Sequence, residues 1–168
     1  CPHLHRQPHR MSVYQDESRK IREIFSRYAD RVQPLSIDEA FLDVTRSSSR
    51  MGLTATRMAF ELKKEIKKET GLTASAGVAP NKFLAKVASD MDKPDGLTVV
   101  QPHQVQSFLD PLPVKKIWGI GPATAQRFQR MGISTIGELR FLSLEELVDE
   151  FGKAGLHYFQ LSRGIDER

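Results

Sequence analysis

Two adjacent carboxylates, Asp38 and Glu39, stand in the stretch QPLSIDEAFLDV, residues 33–44, among residues that otherwise read as two short buried strands. In a regular strand, neighbours point to opposite faces and could not serve one site. At the tip of a hairpin that rule relaxes, and both acids can reach one point beyond the sheet edge. Like charges so close repel each other and resist desolvation, so the pair asks for a cation. Magnesium suits it, since this ion commonly takes one or two carboxylates and fills its other positions with water and substrate phosphates. Two such ions ~3.5–4 Å apart form the clamp used for in-line phosphoryl transfer. The plainer alternative is a solvated turn carrying two acids, and the local pattern leaves both open. Asp43, alternating with Phe41 on the second strand, reads as a solvent-facing or salt-bridged acid.

A second informative stretch is PVKKIWGIGPATAQRFQRMG, residues 113–132. A short turn carrying Lys115 and Lys116 leads into Gly119, Ile120 and Gly121, and Pro122 opens a helix at its preferred first position. The glycines permit a tight turn and close approach of another backbone. Amides at the helix start attract a phosphate, and Ile120 can plug the turn into the core. This is the helix–hairpin–helix pattern, which grips a nucleic-acid backbone without reading bases. Its plainer alternative is a helix connection with glycine for geometry. FGKAGLHYFQLSRG, with Gly152 and Gly155, reads as a more degenerate copy. At the start, Cys1, His3, His5 and His9 are zinc-ligand types, but their spacing fits no standard finger.

The elements that must position these groups follow from periodicity and punctuation. YQDESRKIREIFSRYADRV is an amphipathic helix with Ile21, Ile24, Phe25, Tyr28 and Val32 on one face. Two short strands with a tight turn follow, marked by Pro34 and Ser36. A second helix turns Ala55, Ala59, Leu62 and Ile66 inward and Lys63, Lys64, Lys67 and Lys68 outward, and Gly71 stops it. LTASAGVAP reads as a strand, Asn81 caps the helix KFLAKVASDM, KPDG is a turn, and LTVV is a further strand. Near Gln101 strand signals give way to short helices separated by Pro and Gly. The fold class is therefore α+β, an incomplete βαββαβ motif whose first strand is missing, followed by a small all-α region with a helix–hairpin–helix.

Composition sets the outer bounds. With 168 residues, 39% of them hydrophobic, the chain can bury a core, so wholesale disorder is excluded. One Cys excludes a disulfide framework and fits a reducing, cytoplasmic compartment. No apolar run reaches membrane-spanning length. The formal charge of +4 permits nucleic-acid binding without establishing it. Beginning with Cys1 and ending at Arg168, the chain reads as a piece of a longer protein.

PLSIDEAFLDVT, LTASAGVAPNKFLAKVASDMDKPDG and IWGIGPATAQRF, in this order, closely resemble the Y-family DNA polymerases of the bacterial DinB type, and SRGIDER at the end fits them too. The resemblance implies translesion DNA synthesis with primer–template DNA and dNTP as substrates, two Mg2+ ions as cofactors and, for the full-length parent, a sliding clamp as partner. It implies that Asp38 ligates magnesium and that Glu39 is the adjacent catalytic carboxylate. Lys93 would contact the phosphates of the incoming nucleotide. Lys116, Gly119, Ile120 and Gly121 would lie in the thumb hairpin that holds DNA. Residues 1–9 would end the fingers, 10–100 form most of the palm, and 101–168 form the thumb.

Departures from the family pattern matter as well. A metal-binding Asp on the first palm strand, the fingers residues that cover the nucleotide, and the C-terminal little-finger domain have no counterpart here. The isolated chain is therefore expected to have little or no polymerase activity, and loss of a central strand to leave a marginal fold or strand exchange between chains. Two rivals stand beside this reading: a non-catalytic DNA-binding fragment, and a metal-dependent repair nuclease.

Overall fold

The strands pair in two separate two-stranded sheets, one antiparallel and one parallel. The computed structural model describes residues 3–4 and 8–168, so the Cys1 and His5 of the zinc reading lie outside the described residues. The chain divides into two compact units, Cys1–Ala74 and Ser75–Arg168.

In the first unit, α1 (Met11–Tyr28) buries Ile24 completely. It stops at Tyr28, where Ala29 turns extended (φ −114°, ψ 143°), so Val32 belongs to a strand rather than to the end of the helix. Strands β1 (Arg31–Pro34) and β2 (Ala40–Asp43) pair antiparallel from Arg31↔Asp43 to Pro34↔Ala40. Then comes α2 (Thr45–Met51), which has no apolar periodicity to announce it. Polar contacts hold it: the Asp43 carboxylate accepts the Thr45 N–H at 3.0 Å and Asp30 accepts the Ser47 N–H at 2.7 Å. Asp43 is thus a cap, and its bonds from Thr45 hold its pKa below the usual carboxylate value. Helix α3 (Ala55–Thr70) starts on the Thr54 side chain and ends at Gly71 (φ 73°). Its Leu62 and Ile66 close over Ile24, Phe25 and Tyr28. Met58, 1% exposed, is a further buried anchor of α3, beside the half-buried Ala55 and Ala59. Arg27 and Tyr28 of α1 both bond Glu65 of α3; burial, then that bond, push the Tyr28 hydroxyl up to about 12.

The second unit opens with β3 (Ala76–Val78), α4 (Lys82–Ser89) and β4 (Leu97–Val99), β3 and β4 being parallel neighbours. Asn81 caps α4 by accepting the Leu84 N–H at 3.0 Å. Helices α5 (Val105–Leu109), α6 (Pro122–Arg130), α7 (Ile136–Leu139), α8 (Leu144–Phe151) and α9 (Lys153–Ser162) follow. The apolar face of α4, Phe83, Leu84 and Val87, shares one core with Leu109, Ile117, Phe128, Ile136, Leu147 and Leu161. That shared core is why the contact division falls after Ala74, whereas the change in composition falls near Gln101.

Helices α7 and α8 start with reciprocal caps. Glu138 accepts the Ser134 and Thr135 amides at 2.7 and 2.9 Å, and Glu146 accepts the Ser143 amide at 2.7 Å. These amide bonds hold both carboxyls below their usual pKa. A depressed folded-state pKa stabilises above the unfolded value, near 4.3, and the stabilisation is lost as pH falls through the folded value. The thermal midpoint, followed by circular dichroism, should therefore fall on acidification below about pH 4.3. It should fall less in a Glu138→Gln, Glu146→Gln double variant, whose caps do not titrate.

Candidate functional site

The carboxylate pair sits on the five residues that link β1 to β2, Leu35 to Glu39. The Leu35 and Ser36 amides both donate to the Glu39 carbonyl, at 2.9 and 3.2 Å, which closes the turn immediately above the last rung, Pro34↔Ala40. Ser36 then works twice. Its hydroxyl donates to Asp38 Oδ1 at 2.6 Å and accepts the Asp38 amide at 3.4 Å, fixing the Asp38 side chain. Helix α1 holds the loop from the same unit: Ser18 donates to the Ile37 carbonyl and Arg22 to the Ser36 carbonyl. Asp38 is exposed and Glu39 half-buried, so the two acids lie at a hairpin tip, outside the alternating ladder. Ser18 and Arg22 are missed by sequence reasoning, and Ser36 is read there only as a marker of the turn. Of the three, Ser36 alone carries a signal of its bracing role, the S-x-D spacing with Asp38.

The donor set is hard carboxylate oxygen, which fits magnesium. Its number is small: among the described residues no three His, Cys, Asp or Glu side chains gather where they could hold a metal.

Lys93 and the hairpin belong to the second unit. Lys93 precedes a cis-proline turn, Lys93–Pro94. Its Nζ pairs with Asp90 Oδ1 at 2.6 Å, while Lys86 reaches the other oxygen at 3.4 Å. Burial pushes the Asp90 pKa up, but the bond from Lys93 and the charges of both lysines outweigh it, and the net shift is downward. Asp90 thereby holds an exposed cation at the end of α4.

In the hairpin, Val114–Lys116 makes one 3₁₀ turn, Gly119 takes φ 94°, and α6 begins with Pro122. Ile117 and Ile120 are buried, anchoring both sides of Trp118 and Gly119. The intrahelical ladder of α6 begins with the Ala125 amide on the Gly121 carbonyl, so the amides of Gly121, Ala123 and Thr124 precede it. Nothing within 4 Å would meet a Cβ at Gly121, so that side of the turn lies open. Amides ahead of the helical ladder, an open glycine, and Lys115 and Lys116 one turn earlier make an arrangement that fits a phosphate. The segment read as a degenerate copy forms a helix pair. Gly152 (φ 59°) turns α8 into α9, and a Cβ on Gly155 would stand 2.1 Å from the Leu147 carbonyl oxygen.

Comparison with known proteins agrees with these elements. The model of the impB/mucB/samB family matches residues 1–90, and the HHH motif of the same family matches residues 103–133, which includes the Gly119–Gly121 turn. DNA polymerase IV of Pectobacterium atrosepticum is 51% identical over all 168 residues, which make up 47% of its length. DNA polymerase IV of Shewanella woodyi is 49% identical over 168 residues, 46% of its length. The chain thus spans about half the length of the curated relatives it matches. Among solved structures, DinB from Sulfolobus solfataricus superposes with a TM-score of 0.86 at 35% identity, over 97% of this chain and 48% of that one. The insertion ternary complex of Dbh DNA polymerase gives 0.86 at 35% identity, over 96% and 47%. With its hairpin-borne S-I-D-E and its Gly-Ile-Gly turn each in the matched segments, the chain belongs to the impB/mucB/samB family, the Y-family DNA polymerases of the DNA polymerase IV type.

Proposed function

We propose that the whole protein performs template-directed DNA synthesis past damaged bases, and that this chain supplies its catalytic carboxylates and a DNA grip. One observation carries the proposal: two adjacent acids project from a hairpin tip whose loop is braced by Ser36 and by α1. Residues 10–100 act as most of the palm, 101–168 as the thumb, and 1–9 as the end of the fingers. Asp38 and Glu39 hold Mg2+, which supplies charge neutralisation for the triphosphate and lowers the pKa of the primer 3′-hydroxyl. Lys93 takes the nucleotide phosphates, and Asp90 keeps its side chain in place until they arrive. Lys116, Gly119, Ile120 and Gly121 hold the DNA backbone. A sliding clamp is a partner of the whole protein, which works in the cytoplasm. No helix among the described residues is long and apolar enough to cross a membrane.

Labelled primer–template incubated with Mg2+, with and without dNTPs, tests the proposal. The whole protein should lengthen the primer only when dNTPs are present. The 168-residue chain should extend it little, because two carboxylates are few for two ions. Shortening of the strand without dNTPs would instead make the protein a nuclease, and robust extension by this chain alone would show that no further ligand is needed.

A further inference from the structure

Trp118 is the single tryptophan of the chain, and it stands in the turn of the hairpin. Its neighbours Ile117 and Ile120 are 1% and 7% exposed, whereas Trp118 is 40% exposed. The two isoleucines carry the turn's burial in the core, and the indole between them remains open to solvent on part of its surface. It is not loose. The Arg168 guanidinium carbon stands 4.6 Å from the indole centroid. Asp166 holds that guanidinium at 2.7 Å, and its own second oxygen accepts the Phe83 amide at the start of α4 at 2.9 Å. His157 of α9 places Nε2 2.9 Å from the Trp118 carbonyl oxygen. An aromatic plane, a stacked cation and an imidazole thus gather at one turn, two and three residues from Lys116 and Lys115.

A hairpin that only grips backbone needs amides and cations. A preorganised indole–guanidinium pair adds a flat apolar surface beside positive charge, the combination with which proteins stack bases of single strands. In a duplex each base face is covered by its neighbours, so such a surface selects a base that lacks them. We propose that Trp118, backed by Arg168, is a stacking site for an unpaired nucleobase on a DNA strand whose phosphate lies at the hairpin amides. This rests on the hairpin being a DNA-binding element, and the test separates the two.

The single tryptophan is its own reporter. At low salt, where phosphate contacts are strong, a short single-stranded oligonucleotide should quench Trp118 emission saturably. The quench should follow the same curve as the anisotropy of the labelled strand. An abasic strand of equal length should bind with little quenching, and so should a duplex whose two ends are closed by base-free ethylene-glycol linkers. Trp118→Leu should weaken single-strand binding about five-fold or more and leave closed-duplex binding unchanged, while Trp118→Phe should retain most of the affinity. Equal quenching by the abasic strand, or equal weakening by Phe and Leu, overturns the stacking site. Binding by anisotropy without quenching overturns it too, while leaving the hairpin as a DNA-binding element. Failure to bind any of the DNAs overturns both.

Discussion

Replacing Gly77 by valine is expected to destabilise the second unit by about 3 kcal/mol or more. Gly77 lies in the middle of β3, opposite Thr98 of β4, with α4 laid directly over it. A Cβ there would stand 2.0 Å from the Ala85 carbonyl oxygen, 2.6 Å from the Ser89 nitrogen and 2.9 Å from the Ala88 Cβ. The first two are helix backbone, which cannot swing aside as a flexible side chain does, so α4 itself would have to lift. Lifting it pulls Phe83, Leu84 and Val87 out of the core they share with Leu109, Phe128 and Leu161. Overpacking typically costs about 1–3 kcal/mol where side chains can adjust, and here the obstruction is main chain, so the top of that range is a floor. Against a total stability of about 5–15 kcal/mol, that removes much of what holds the unit together. Gly121→Ala is the matched control. Its added methyl meets open space at φ −80°, and its stability change should stay within about 0.5 kcal/mol. Urea unfolding followed by Trp118 emission separates the two; an unshifted midpoint for Gly77→Val would mean that β3 and α4 can part without cost.

Glycines such as Gly77 show where a single sequence stops being informative. Asn81 and Gly71 were legible as helix boundaries because capping is local chemistry, and α1 and α3 were legible because their apolar residues recur at three and four. The Gly-Ile-Gly turn before Pro122 was legible for the same local reason, as was the placement of Asp38 and Glu39 at a hairpin tip. Helix α2 was not, since TRSSSRM carries no stripe and depends on Asp30 and Asp43, one of them seventeen residues away from its bonding partner. The partition of the chain was equally hidden. Composition changes near Gln101, but the side on which α4 buries Phe83 and Val87 is a tertiary choice, and it commits the β3–α4–β4 segment to the helices that follow. Around the site, the bracing of the loop by Ser18 and Arg22 required knowing that α1 runs behind it, and the cluster of Trp118, His157 and Arg168 joins residues up to fifty apart in sequence.

In the whole protein, Glu39→Gln is expected to lower nucleotide incorporation by about a thousand-fold, and Asp38→Asn comparably, with folding and DNA affinity almost unchanged. Metal-borne charge stabilisation is worth several kcal/mol in a phosphoryl-transfer transition state, and about 4 kcal/mol corresponds to three decades in rate. The loop's main-chain closure and its bonds to α1 survive either substitution. Its closure runs through the Glu39 main-chain carbonyl, and its bracing through the Ile37 and Ser36 carbonyls, none of which the substitutions alter. Asn at position 38 keeps an oxygen to accept from the Ser36 hydroxyl, so the side chain stays where Asp38 is held while losing the charge that attracts a cation. With Asp38 exposed and Glu39 only half-buried, the stability change should remain within about 0.5 kcal/mol. Single-turnover primer extension gives the rate, thermal melting the stability, and Mn2+ relaxation enhancement the ion occupancy. Loss of rate together with loss of Mn2+ binding, at constant melting temperature, places the two acids at the ion. Retention of more than about a tenth of the rate by either variant, a loss of under 1.4 kcal/mol, would mean that these carboxylates are an ordinary solvated turn.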